Sequence, residues 1–176
     1  AFQILNGTNG LVAFDYETTG LFRGESGKVR AVGFSTGVDN FVTKNENNES
    51  MKLMRWFLDS DIPKAAYNSS FEIRWSEDMF GLTPKNLVHD PMLMHHLLDE
   101  NSSKDLESVA SQYLKANKWG IESKMLENGW TFETIPIDEL VYYCGIDAYY
   151  THKLVDVLLP ELEKSNLTRV YNKILL

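Results

Sequence analysis

GLVAFDYETTG, residues 10–20, is an apolar run that ends in two carboxylates one residue apart, Asp15 and Glu17. Residues 10–16 read as a buried strand. On a strand, side chains two apart share a face, so both acids are presented together where the strand gives way to a turn. Two negative charges that close repel each other unless something positive lies between them. A divalent cation is the usual answer, so the strand carries a candidate metal site at its end.

The rest of the chain supplies a fold around that strand. Its 176 residues suffice for one substantial core, and residues 1–176 read as a single domain. A hydrophobic fraction of 43% and an aromatic fraction of 12% are those of a globular protein. No apolar run approaches the roughly 20 residues of a membrane span. No basic segment with an apolar stretch and cleavage site opens the chain. The single cysteine, Cys144, fits a reducing compartment. The expected location is therefore intracellular and cytoplasmic, with no membrane partner. A net charge of −8 weighs against an extended grip on a nucleic-acid backbone, but leaves room for a small site that holds a strand end through metals. Ala1 in place of Met suggests a cut or processed chain.

Residues 28–35 and 39–44 follow as strands of β-branched and aromatic content, with a hairpin turn at residues 36–39. A polar loop leads to Ser50, an expected helix N-cap, and a helix over residues 51–59. Short strands at KAAYN and NLVHD bracket a helix from Ser69 to Phe80. From there the pattern is helical: MLMHHLLDE, then a stripe of Leu106, Val109, Ala110, Tyr113 and Leu114, then a less regular stretch over residues 120–132. A last long helical pattern runs from about Pro136 to Leu162. Strands interleaved with helices, then mostly helices, describe an α/β sandwich around a mixed sheet.

Two further acids stand out. Leu140, Tyr143, Asp147, Tyr150, Leu154 and Leu158 recur at three- and four-residue steps and trace one helix face. Asp147 sits in the middle of that apolar stripe, where an unpaired ionised carboxylate is costly. Tyr143 lies one turn earlier and shares its pocket. Glu72, in YNSSFEIRW, lies near the start of its helix, four residues after Asn68. By contrast His95 and His96 are adjacent and face different directions on a helix, so packing or surface roles suit them better than zinc. Cys144 has no histidine or base at a motif spacing.

The order DYETTG, then N-x-x-F-E, then Y-x-x-x-D in YCGIDAYYTHKL resembles the three motifs of the DEDD 3′–5′ exonucleases, in their tyrosine branch. The flanking runs HDPMLMHHLLDE, DLESVASQYL and IDELVYYCGIDAYYTHKLVDVLLPELE are similar to the proofreading exonuclease domain of family-A DNA polymerases, the DNA polymerase I type. The resemblance implies a ribonuclease-H-like α/β fold, a mixed five-stranded sheet flanked by helices. It also implies a fragment of a larger polymerase, with LTRVYNKILL as the passage into a C-terminal polymerase domain, in a bacterial or phage-infected cell.

By position, the resemblance makes Asp15 a bridge between two divalent ions, Mg²⁺ or Mn²⁺, with Glu17, Asp147 and Glu72 as the other holders. On the same resemblance, Tyr143 would orient the attacking water. The substrate the resemblance implies is the 3′ end of single-stranded DNA, shortened by release of nucleoside monophosphates. Thr18, Thr19 and Gly20 would meet the terminal nucleotide, Leu21 would wedge against the last bases, and Asn68 and Phe71 would flank the scissile phosphate. Lys104 would touch a phosphate. Trp119 is either a stacking platform for a base or a packing residue. One position departs from the family pattern, which has Asp where this chain has Glu72. Three readings of that departure stay open: a natural variant, a weakened nuclease, or a domain that only binds strand ends. An exoribonuclease like RNase D shares all three motifs and is the enzymatic alternative.

Overall fold

The computed structural model describes residues 1–20 and 27–175. Its sheet has five strands in the order β3-β2-β1-β4-β5, formed by β1 (Val12–Thr18), β2 (Val29–Ser35), β3 (Asn40–Lys44), β4 (Lys64–Ala65) and β5 (Leu87–His89). β1 pairs antiparallel with β2 and β2 with β3, whereas β1–β4 and β4–β5 are parallel. The sheet is therefore mixed, as expected. The hairpin turn falls where the sequence places it, with Thr36 N–H donating to the Asp39 carbonyl and Gly37 at a positive φ of 83°.

The eight helices of the described residues are α1 (Phe2–Asn6), α2 (Asn48–Asp59), α3 (Ser69–Phe80), α4 (Pro91–Leu98), α5 (Leu106–Leu114), α6 (Glu122–Asn128), α7 (Ile137–Lys164) and α8 (Thr168–Leu175). Three details differ from the sequence reading. Asn47, not Ser50, caps α2: its side chain accepts the N–H groups of Glu49 and Ser50, and Ser50 is the reciprocal partner in a capping box. Helix α6 occupies seven residues of the stretch expected to be irregular, closed by Gly129 in the left-handed region. Helix α1 is an addition at the amino end. None of the described helices is long and apolar enough to cross a membrane.

Alternation along β1 divides the molecule into two cores. Val12, Phe14 and Tyr16 point to one side, where they meet Phe34, Met54, Phe57, Trp75 and Phe80 beneath α2 and α3. Phe57 is the hub there, edge-on to both Phe14 and Phe34 with centroids 5.5 and 5.1 Å away. Ala13 points to the other side, into a cluster with Ala65, Met94, Val109, Leu154 and Leu158. Asp15 and Glu17 follow Ala13 on that second side, which is how two acids come to face α7.

Helix α7 lies close against the sheet because Gly33 leaves space for it. A methyl group at Gly33 would sit 2.3 Å from the Cys144 carbonyl oxygen and 3.1 Å from Ala148 Cβ. That close approach brings Tyr143 and Asp147 to the carboxyl end of β1.

Candidate active site

Three stretches of chain converge where β1 ends. From β1 come Asp15 and Glu17, both half-buried. Atoms of Asp15, Glu17 and Cys144 able to ligate a cation all lie within 4.8 Å of one another. From α7 come Tyr143 and Asp147, and from the first turn of α3 comes Glu72, only 2% exposed. An acidic cleft of about 300 Å³ opens beside them, lined by Glu17, Glu107, Trp119, Glu122, Tyr143 and Asp147.

The electrostatics are those of acids crowded together, with only the nearby charge of Arg30 acting against the rise in Glu17 among the described residues. Among the described residues, none of Asp15, Glu17, Glu72 and Asp147 forms an ion pair with Lys or Arg. Burial raises the Asp15 carboxyl well above its usual range, and the charge of Asp147 adds to the rise. Burial, then the charge of Asp15, does the same to Glu17 and to Glu72. Burial pushes Asp147 to about 7, against the pull of a hydrogen bond from Trp119. Glu72 Oε2 is buried and has no hydrogen-bond partner.

A divalent cation fits this donor set. Hard cations take carboxylate oxygens, and a bound ion would offset the repulsion between Asp15 and Glu17, while Glu72 and Asp147 stand outside the group of ligand atoms within 4.8 Å of one another. Cys144 is a poor ligand for such an ion. Its thiol donates to the Asp15 carbonyl at 3.5 Å, and burial raises it well above the ordinary thiol range, so it stays protonated.

Tyr143 is 9% exposed, and burial raises its phenol above the usual value. It is therefore neutral at pH 7, a donor or acceptor of hydrogen bonds and not a base.

The other sequence-selected residues fall into separate groups. Thr18 and Thr19 close the turn after β1: the Thr18 hydroxyl donates to the Gly20 carbonyl at 2.6 Å, and Thr19 Oγ1 accepts Lys28 N–H at 3.0 Å. Among the described residues other than Gly20 and its chain neighbours, no atom lies within 4 Å of where a Cβ at Gly20 would sit. Leu21 lies outside the described residues. Asn68 immediately precedes α3 in the left-handed region, and its side chain accepts from the Ser70 hydroxyl at 3.0 Å. Phe71 is half-buried against the first core and tilts against Trp75 with centroids 6.2 Å apart. Lys104 is turned onto its own loop, with Nζ on the carbonyls of Glu100 and Ser102 at 2.8 and 3.2 Å, and it does not line the acidic cleft. Trp119 reaches Asp147 instead of standing free, its indole N–H 2.6 Å from Oδ1.

One residue near the site was not foreseen. Arg30, on β2, donates to the carbonyls of Phe132 and Ile135 at 2.9 and 2.8 Å, pinning the approach to α7, and its charge opposes the rise in Glu17. A basic residue in a β-branched strand is the only signal, and it does not distinguish a solvated side chain from a clamp.

Residues 2–163 match the family model described as 3′–5′ exonuclease, of the family-A DNA polymerase type. The chain belongs to this exonuclease family. A DNA polymerase of Escherichia phage T5 is 26% identical to the exonuclease domain over 186 residues, covering 93% of this chain and 21% of that polymerase. The chain thus spans about a fifth of that curated relative's length. Among solved structures, Brucella melitensis NrnC with bound Mg²⁺ matches with a TM-score of 0.76 at 19% identity, over 97% of this chain and 82% of that one. Escherichia coli RNase D, an exoribonuclease, matches with a TM-score of 0.72 at 16% identity, over 93% and 43%. The exonuclease domain thus has the ribonuclease-H-like fold that the sequence resemblance implies.

Proposed function

We propose that this domain removes nucleoside monophosphates from the 3′ end of single-stranded DNA as the proofreading module of a larger DNA polymerase. The observation that carries the reading is the convergence of Asp15, Glu17, Glu72 and Asp147 from three segments, with no Lys or Arg among the described residues paired to them. Asp15, Glu17, Glu72 and Asp147 would hold the divalent ions. The ions, Mg²⁺ or Mn²⁺, supply a water of lowered pKa and charge neutralisation at the leaving oxygen when bound.

The chain's own groups do the rest. Tyr143 orients a water with its phenol, in line with the bond to be broken. The water oxygen gives up a proton and bonds to phosphorus, the P–O3′ bond breaks, O3′ takes up a proton to become the 3′-hydroxyl of the shortened strand, and the nucleoside monophosphate leaves. The turn at Thr18, Thr19 and Gly20 presents backbone to the terminal nucleotide, with Asn68 and Phe71 across from it. Nothing in this set distinguishes one base from another, and a mismatched end frays into such a site more readily than a paired one. The acidity of the domain suits a footprint of a few nucleotides, with the duplex held by a C-terminal polymerase domain.

A second reading is an exoribonuclease, favoured by the likeness to RNase D and to a form of NrnC bound to pGG. The deciding experiment follows matched 5′-labelled DNA and RNA strands with Mg²⁺, Mn²⁺ or chelator, beside Asp15→Ala. A stepwise 3′ ladder on DNA that needs metal and Asp15 supports the proposal. A ladder on RNA alone favours the exoribonuclease, and a ladder that survives in Asp15→Ala removes the enzyme reading.

A further inference from the structure

Trp119 is held at three points. Its indole N–H donates to Asp147 Oδ1 at 2.6 Å. Its ring lies on Tyr150, with centroids 4.4 Å apart and planes 19° from parallel. Its backbone N–H donates to Glu107 Oε1 at 2.8 Å, which ties the loop after α5 to that helix. The ring, stacked on one face and bonded along its edge, is half-buried and also lines the acidic cleft.

The consequence falls on Asp147. A carboxylate on a helix can swing about its side-chain torsions, and ordering it costs conformational entropy. An N–H donor on one oxygen removes that freedom and leaves the other oxygen for a cation. Indole suits the task because it is a donor only and has no acceptor that would compete for the ion.

We propose that Trp119 is a positioning residue for Asp147, setting the carboxylate for metal. The inference rests on the metal-dependent reading of the site.

Trp119→Phe tests it, because phenylalanine keeps a ring for Tyr150 and lacks the N–H. Titration calorimetry of the metal-free protein with Mn²⁺ is the readout independent of turnover. Expected for Trp119→Phe is Mn²⁺ binding weaker by about 10–100-fold, with kcat down by a similar factor and KM for a DNA oligonucleotide unchanged. A base platform gives the opposite split: Trp119→Phe behaves as wild type and Trp119→Ala raises KM alone, which overturns the inference.

The indole N–H resonance of the unsubstituted ring guards against a misfolded variant. It should shift upfield in Asp147→Asn as the charged acceptor is lost, and an unmoved resonance overturns the proposal. Wild-type protein that binds no Mn²⁺ sinks the site reading together with this one. Mn²⁺ binding unchanged by Trp119→Phe sinks this one alone.

Discussion

Asp90 Oδ2 accepts the backbone N–H of Ser69 at 2.8 Å, although Ser69 begins α3 and Asp90 precedes α4. The other oxygen, Oδ1, accepts the N–H groups of Met92 and Leu93 at 2.9 and 3.4 Å and of Asn68 at 3.2 Å. One buried carboxylate thus satisfies the amino ends of two helices. Asn68 caps nothing with its own side chain, so α3 depends on a residue 21 positions away. Glu72 rides on that first turn. The placement of Glu72, the fourth candidate acid, is therefore set from the residue that caps α4.

Asp90→Ala should cost about 2–4 kcal/mol, the loss of a cap at two helices plus buried N–H groups left without acceptors. Urea unfolding followed by circular dichroism measures it. Asp90→Asn keeps one acceptor oxygen and should lose roughly half as much. Both variants should also lower kcat through the loosened turn that bears Glu72. An Asp90→Ala protein as stable as wild type would show that α3 is held by its packing alone.

Gly33→Ala tests the approach of α7 to the sheet. The added methyl meets the Cys144 carbonyl, which is backbone inside a helix and cannot swing aside as a side-chain tip would. Overpacking of this sort costs about 1–3 kcal/mol. The larger effect should be on hydrolysis, because the same displacement carries Tyr143 and Asp147 away from Asp15. A melting temperature lowered by several degrees with most of the activity lost is the expected result. Full activity would mean that α7 reseats without moving the acids.

Glu72→Asp addresses the departure from the family pattern. The shorter side chain restores the residue that the other motifs lead one to expect, and Mg²⁺ tolerates little deviation from octahedral ligands at about 2.0–2.1 Å. Its Oε2 already lacks a partner, so the change breaks no hydrogen bond made by that oxygen. Mg²⁺-dependent hydrolysis should rise, read from single-turnover rates on a labelled strand. A rate equal to or below wild type would mean that the backbone here is fitted to glutamate.

How much of this was legible depends on where the information lies in the chain. Asp15 and Glu17 were readable because a two-residue period on an apolar strand is local. Asp147 was readable because a charge on an apolar helix stripe is anomalous wherever it occurs. The helix bearing Glu72 was read from Ser69 to Phe80 as found, yet what anchors it was not, since the Asp90 cap joins residues far apart in sequence. Trp119 reads from sequence as either platform or packing, because its bond to Asp147 spans 28 residues and leaves no periodic trace. Lys104 shows the same limit: a long side chain in a polar loop finds its own loop's carbonyls. Helix α6 escaped because seven residues between glycines hold too few turns to show a stripe. Lys64 reads as the start of a short strand but is fully buried, its Nζ on the carbonyls of Ser60, Ile62 and Lys85 at 2.8–2.9 Å.

Metal and pH should be coupled through the same acids. Asp147 titrates near 7 in the fold against about 3.9 in an unfolded chain, and Asp15, Glu17 and Glu72 move in the same direction. A carboxyl whose folded pKa is raised binds more protons in the native state than in the unfolded one. Stability therefore falls as pH rises, beginning near pH 4 and, for Asp147, levelling off above about 7. Chelated protein should melt at lower temperature at pH 8 than at pH 5. Asp147→Asn removes one titrating group and should flatten that slope. Cations bind the deprotonated acids, so Mg²⁺ should raise the melting temperature more at pH 8 than at pH 5. Melting curves from pH 4.5 to 8.5, with chelator and with Mg²⁺, give both trends. A chelated wild type whose melting temperature climbs across that window by more than Asp147→Asn does would mean that the acids are ionised and satisfied without a cation.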